Sequence, residues 1–369
     1  MNKPRARDLG LDIPGTCGAT NSLVDVPGVL VGMTTILEGD GPVTPGYGPV
    51  RTGITAILPR GFESSPNLVW AGMHSLNGNG EMTGSHWIRD AGYFVGPVCL
   101  TNTHSVGMVH HAATYWTINQ YKTHWHQEHL WALPVVAETY DGVLNDINGQ
   151  HITMEHTLAA INSASNQPVA EGNVGGGTGM ICYDFKGGTG SASRAVPIGE
   201  TDYIIAALVQ ANHGTRNWFT PLGVPAGRHL PHHAEEESRE RGSIIVILAT
   251  DAPLLPSQLQ RIARRATIGV GRGGSPGGNN SGDLFLAFTT ANSQPMMNHA
   301  ESNLSLNSLN DELLDGLYLG AVEAVEESVL NALVAAEDMT MVKPGGLVCE
   351  AINHGELINV MKQYGRIVD

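Results

Sequence analysis

Short blocks dominated by apolar residues recur along the chain at Thr55–Leu58, Tyr203–Val209, Ile244–Leu248 and Leu284–Phe288, and each predicts a strand. Between and after them the spacing changes to a helical one. Pro256 and Ser257 open a helix that runs through Arg261, Ala263 and Arg265 to about Thr267. The strongest helical stretch is 310–336. It starts with Asn310–Asp311–Glu312, good chemistry for a helix N-terminus, and carries Leu313, Leu314, Leu317, Val322, Val325 and Leu330 at helical spacing. Strands mixed with helices predict a layered α/β or α+β fold. The sequence shows no internal repeat, and 1–369 reads as a single domain.

One break in this pattern stands out. His229–Arg241 reads HLPHHAEEESRER, a solvated loop. It stops at Gly242, and Ser243–Ile244–Ile245–Val246–Ile247–Leu248 follows at once as a buried strand. An ordinary surface loop running into a core strand explains this pattern. So does a self-cleaving nucleophile. The Ser243 hydroxyl would attack the Gly242 carbonyl, an N→O acyl shift would give an ester, and water would free a new N-terminal serine. That α-amine, with a pKa of about 7.7–8.0, can act as a local base.

Composition narrows the classes. Hydrophobic residues make up 41 % and charged residues 15 %, with 46 glycines, as expected for a protein with a large core and many tight turns. A net charge of −15 argues against nucleic acid as a partner. No apolar run approaches the roughly 20 residues that span a membrane. The polar, basic start at Met1–Asp8 lacks the apolar core of a signal peptide, so a cytoplasmic location is expected. Cys17, Cys99, Cys182 and Cys349 show no CxxC spacing and read as reduced, mostly buried thiols.

Several further motifs compete for a chemical role. Gly273–Gly277 contains GxSxG around Ser275, but its glycine-rich surroundings suit a loop better than a strand–turn–helix nucleophile elbow. The same loop leads to Ser281 and Asp283, which alternate at the start of a strand and can face one side; a turn with a capping Asp reads equally well. Asn173–Gly179 and Gly187–Ser191 lack the Lys-Ser/Thr of a phosphate loop, so tight turns or pocket walls are expected. His110, His111, His124, His126 and His129 are clustered, yet no HExxH occurs and no metal is expected. Glu138 ends the apolar run Val135–Ala137. It can be a solvated strand end or an acid that holds a substrate ammonium.

Together these blocks resemble the L-aminopeptidase/D-esterase family, which includes the β-peptidyl aminopeptidases. The resemblance spans nearly the whole chain: RARDLG at 5–10, DVPGVLVGMTT at 25–35, PVRTGITAILP at 49–59, LPVVAETYDGVLND at 133–146, PVAEGNVGGGTGM at 168–180, LVQANHGTRN at 208–217, SIIVILATDAPL at 243–254, and ARRATIGVGR with its NSGD loop at 263–283. It implies a four-layer αββα sandwich like that of ornithine acetyltransferases, and a precursor that cuts itself into an α chain 1–242 and a β chain 243–369. It implies Ser243 as nucleophile, Asn212 as oxyanion donor, and Ser281 with Asp283 as the Ser-Gly-acid element. Some relatives carry Glu at the last position, so the shorter Asp283 would make that network either tightened or water-bridged. Glu138 would bind the free amine of the substrate, and the Tyr140 hydroxyl would steady the tetrahedral intermediate. No cofactor is implied. The implied substrates are short peptides, amino-acid amides and esters carrying L-α, D-α or β-amino acyl groups, and the assembly a homotetramer of αβ protomers. The alternatives are an acyltransferase of the ornithine acetyltransferase type and an inactive binding protein of the same fold.

Overall fold

The apolar blocks become inner strands of two stacked sheets in the computed structural model, which describes residues 3–127, 129–231, 240, 242–297 and 301–368. In the first half of the chain the strands are β1 (Leu30–Glu38), β2 (Val50–Leu58), β3 (Val69–Ser75), β4 (Tyr93–Phe94), β5 (Val98–Asn102) and β6 (Val135–Thr139). The short β7 (Ile181–Cys182) and β8 (Phe185–Lys186) precede β9 (Gly188–Ile198), β10 (Thr201–Asn212), β11 (Ser243–Thr250) and β12 (Leu284–Thr289); β13 (Met339–Val342) and β14 (Gly345–Cys349) form a late hairpin. One sheet has the order β1-β2-β5-β6, the other β4-β3-β12-β11-β10-β9.

The α-helices among the described residues are α1 (Ser85–Ala91), α2 (Val106–Gln120), α3 (Lys122–Gln127), α4 (Met154–Asn162), α5 (Pro256–Arg272), α6 (Asp315–Val334) and α7 (His354–Gln363). The period-two alternation of each strand sorts its side chains between layers. In β11, Ile245 and Ile247 join Ile57, Leu100 and Ala137 of the other sheet, whereas Ile244, Val246 and Leu248 pack with Leu259 and Ala263 of α5 and Val325 of α6. On the smaller sheet, Ile54, Ala56 and Val136 face α2 and α4 through Val109, Ala113 and Ile161. The order is therefore helix, sheet, sheet, helix. A strand covered on both faces needs continuous apolarity, which is what β11 has.

Two helices differ from the sequence expectation. Helix α5 runs past Thr267 to Arg272, through two glycines that look like breakers. Gly269 lies where α5 crosses α6, and a Cβ there would stand 2.7 Å from the Val325 Cβ, so the absent side chain permits the crossing. At 310–336, Asn310 caps a single 3-10 turn (Asp311–Leu313), and the α-helix begins only at Asp315. Most of its apolar residues are covered inside the protomer. Every residue from Gly320 to Val334 is buried. Its acids are neutralised there: Arg194 pairs with Glu323 (3.1 Å) and Glu327 (2.7 Å), and Arg7 pairs with Glu327 (2.9 Å).

Among the described residues no helix is long and apolar enough to cross a membrane. Cys99, Cys182 and Cys349 are buried, Cys17 is partly exposed, and all four are free. Most of the loop expected at His229–Arg241, namely 232–239 and 241, lies outside the described residues.

Candidate active site

Register decides which residues meet. β10 and β11 are antiparallel with Asn212 opposite Ser243, while β11 and β12 are parallel with Ile245 opposite Leu284. The end of β10 and the starts of β11 and β12 therefore converge at one rim of the six-stranded sheet. Ser243 shares its strand parity with Ile245 and Ile247, and Asn212 with Ala206 and Leu208, so both are on the inter-sheet face.

The Ser243 hydroxyl oxygen accepts the Gly282 amide at 2.9 Å and is nearly buried. Beside it, Ser281 Oγ donates to Asp283 Oδ1 at 2.5 Å, a direct contact, so the shorter acid tightens the network with no bridging group. The Ile244 amide donates to the same Asp283 oxygen at 3.2 Å, tying the residue after Ser243 to the acid. Burial pushes the Asp283 carboxyl above its ordinary value, against the pull of Ser281, Asn77 and the Ile244 amide.

Asn212 is held from two sides. Its Oδ1 accepts the Ile181 amide at 2.7 Å, and its Nδ2 donates to the Tyr140 carbonyl at 3.0 Å. One Nδ2 proton is thereby used, and the second is available for an oxygen at the rim. Gly242 packs on the same residue: a Cβ on Gly242 would stand 1.7 Å from the Asn212 backbone oxygen. The requirement for glycine is thus a close backbone approach.

Glu138 is buried and is not a solvated strand end. Its Oε1 accepts the Glu81 amide at 2.9 Å, and its Oε2 accepts the Thr103 hydroxyl. Burial pushes its carboxyl up, opposed by those two donors. Gly80 separates it from Gly282, whose amide contacts Ser243. A Cβ on Gly80 would stand 3.4 Å from Glu138 Oε1 and 3.2 Å from the Gly282 Cα. Tyr140 is partly exposed, and a Cβ on Gly142 would lie 2.3 Å from its hydroxyl, so that hydroxyl lies back against Gly142. Tyr140 reaches Asn212 through its carbonyl.

Ser275 sits after the C-terminus of α5, with its Oγ accepting the Gly277 amide at 3.2 Å, so the GxSxG stretch forms no elbow. The glycine-rich run makes a 3-10 turn at Gly175–Gly177 against β2, where the Gly176 amide donates to Thr55 Oγ1 at 3.1 Å. His110 and His111 lie on α2, and His124 and His126 on α3. Among the described residues no group of His, Cys, Asp and Glu could hold a metal ion.

Sequence reasoning missed Asn77. Its Oδ1 accepts the Asp283 amide at 2.6 Å, while its Nδ2 donates to Asp283 Oδ2 and to the Gly278 carbonyl, both at 3.1 Å. The only local signal is the turn composition of Asn77–Gly80, which says nothing about a partner two hundred residues on.

The comparisons with known proteins agree with this arrangement. The profile of peptidase family S58 matches residues 21–345. Beta-peptidyl aminopeptidase BapA of Sphingosinicella microcystinivorans is 46 % identical over 99 % of this chain and 93 % of its own length. The L-aminopeptidase D-Ala-esterase/amidase of Ochrobactrum anthropi, described as a prototype for the serine aminopeptidases and a variant among the Ntn hydrolase fold, superposes with a TM-score of 0.94. It is 52 % identical, with 99 % of this chain and 100 % of that one covered. A Burkholderia sp. beta-aminopeptidase superposes with a TM-score of 0.89 at 41 % identity, covering 98 % and 99 % of the two chains. With this coverage and two-sheet architecture, the chain belongs to peptidase family S58 and is a serine aminopeptidase of the Ntn hydrolase type.

Proposed function

We propose that Ser243 is both the self-cleaving residue and the nucleophile for substrate. The observation that carries this reading is the seat of Ser243 at the start of β11, against the Gly282 amide, with Ser281–Asp283 beside it and Asn212 opposite. In maturation the Ser243 Oγ–carbon bond to Gly242 forms and the Gly242–Ser243 C–N bond breaks. The hydroxyl proton passes to the Ser243 nitrogen, with Ser281 and Asp283 as its relay. Water then splits the ester, leaving a Gly242 carboxylate and a Ser243 with free amine and hydroxyl. The products are chains 1–242 and 243–369.

Turnover repeats the chemistry on an outside acyl group. Ser243 attacks, Asn212 Nδ2 stabilises the developing oxyanion, and the new α-amine serves as local base. Glu138 binds the free ammonium of the substrate, with Tyr140 as a second pocket residue. The substrates are short peptides, amino-acid amides and esters; the relatives' described activities on L-, D-Ala and β-peptidyl substrates make all three acyl classes the set to test. Assembly as a homotetramer of cleaved protomers in the cytoplasm completes the reading; light scattering tests the tetramer.

The decisive experiment joins two readouts. N-terminal sequencing of the smaller fragment should begin Ser-Ile-Ile-Val, and amino-acid p-nitroanilides of the three classes should release nitroaniline. Ser243→Ala should remain one chain and be inactive. A single-chain protein with full activity overturns the self-cleavage.

A further inference from the structure

Glu240 stands two residues before the proposed cut and is nine-tenths buried although it is charged and close to a loop. Its Oε1 accepts the Gly214 amide at 2.8 Å. Its Oε2 lies against Gly278, 1.8 Å from where a Cβ on that glycine would stand. The two loops it touches carry the site. Gly214 follows Asn212 by two residues, and the Gly278 carbonyl receives the Ser281 amide at 3.0 Å and the Asn77 amide at 3.1 Å. Between Glu240 and Ser243, Gly242 is pressed on the Asn212 backbone. The upstream side of the scissile bond is thus moored to both walls of the site by one carboxylate.

That carboxylate is poorly placed for any other purpose. Burial pushes it above its ordinary value, and the neighbouring Asp283 adds to the push. Substrates arriving from solution are not joined to Glu240, so its hold on the upstream backbone has nothing to act on in turnover. Once the bond is cut, Glu240 lies near the end of the upstream fragment and its tether to Ser243 is gone.

We propose that Glu240 is a positioning residue for self-cleavage alone, holding the Gly242 carbonyl at Ser243 by its contacts with the Gly214 and Gly278 loops and playing no part in turnover. The inference rests on the reading of Gly242–Ser243 as the cleavage site. Displacement of a reacting group by about 1 Å costs on the order of 10²-fold in rate. Glu240→Ala should therefore slow the conversion of precursor to fragments by about 10–100-fold. Glu240→Gln keeps an acceptor for Gly214 and sets an NH2 against Gly278, so its rate should fall between the two.

The test follows fragment formation on gels after cell-free synthesis of the full chain, then measures kcat/KM on an amino-acid p-nitroanilide per mole of cleaved enzyme, and Tm. Slow maturation with kcat/KM of the cleaved enzyme within about twofold of the parent is the expected result. Maturation at the parental rate overturns the proposal, as does an equal loss of turnover per cleaved molecule. If Glu240→Ala does not fold, the same comparison on Glu240→Gln decides. A parent chain that never cleaves yet turns over substrate refutes the cleavage site itself, an outcome distinct from fast maturation of the variant.

Discussion

Gly242→Ala puts one methyl group where the structure leaves no room, and its effect can be worked out from distances. The new Cβ would stand 1.7 Å from the Asn212 oxygen and 2.7 Å from its carbonyl carbon, where ordinary contact begins at 3.4 Å. The obstacle is main chain at the end of β10, a strand paired to β11 on one side and to β9 on the other, so no side-chain rotation relieves the clash. The chain before Ser243 must retreat by roughly 1.7 Å to restore van der Waals separation. Overpacking of this kind costs about 1–3 kcal/mol. Attack needs reacting atoms about 3–3.5 Å apart, and a misplacement of about 1 Å costs on the order of 10²-fold. Gly242→Ala should therefore mature about 100-fold more slowly, while the sheets behind Ser243 stay folded. A gel time course gives the rate, and far-ultraviolet circular dichroism checks the fold. Maturation of the variant at the parental rate would refute the claim that Gly242 reacts from its seat against Asn212.

Three further outcomes are expected. Asn212→Ala removes the proposed oxyanion donor and should lower kcat by about 10²–10³-fold with KM little changed; an unaltered kcat in steady-state assays removes Asn212 from the mechanism. Glu138→Gln keeps the shape and removes the charge, so KM for amino-acid amides should rise more than kcat falls, and the bias against N-acetylated substrates should shrink; a variant that rejects N-acetylated substrates as strongly as the parent shows that the amine is read elsewhere. Burial pulls the His213 imidazole down from 6.5 to about 3. The folded ring then stays neutral where the unfolded one is charged, so stability should fall as pH drops from 6.5 towards 3, by up to about 1.4 kcal/mol per pH unit. His213→Gln should flatten part of that slope in urea titrations, and an identical slope would contradict the assignment.

How much of this was legible depended on the range of each signal. β11 was legible because burial on both faces demands unbroken apolarity, and the helices because their faces repeat every few residues. The candidate site was legible where it is local: Ser281 and Asp283 are two residues apart in the loop that enters β12, and Ser243 begins a core run. Asn77, which grips Asp283 through both its amide atoms, was not. Its partner is set by β3 pairing with β12, a long-range register that no local pattern encodes. Local sequence left Glu138 open between a solvated strand end and a pocket acid, because the Thr103 hydroxyl and the Glu81 amide that hold it come from other segments. Helix α5 runs past the end expected at about Thr267, because Gly269 makes room for another helix where a side chain would block the crossing.

Strand β11 begins at the residue after the proposed cut and lies between β10 and β12 in the larger sheet. The bond can therefore be opened without opening the sheet, and half-buried Arg7 and buried Arg194 on one fragment remain paired with Glu323 and Glu327 on the other. Opening it does change the molecularity of folding. The precursor folds as one chain, with a rate independent of concentration. The mature enzyme, once denatured, has to find its middle strands on a separate molecule, so its recovery becomes second order in protein. Maturation would then leave a protein whose native state is reached easily only once, and whose persistence afterwards is governed by how slowly it unfolds.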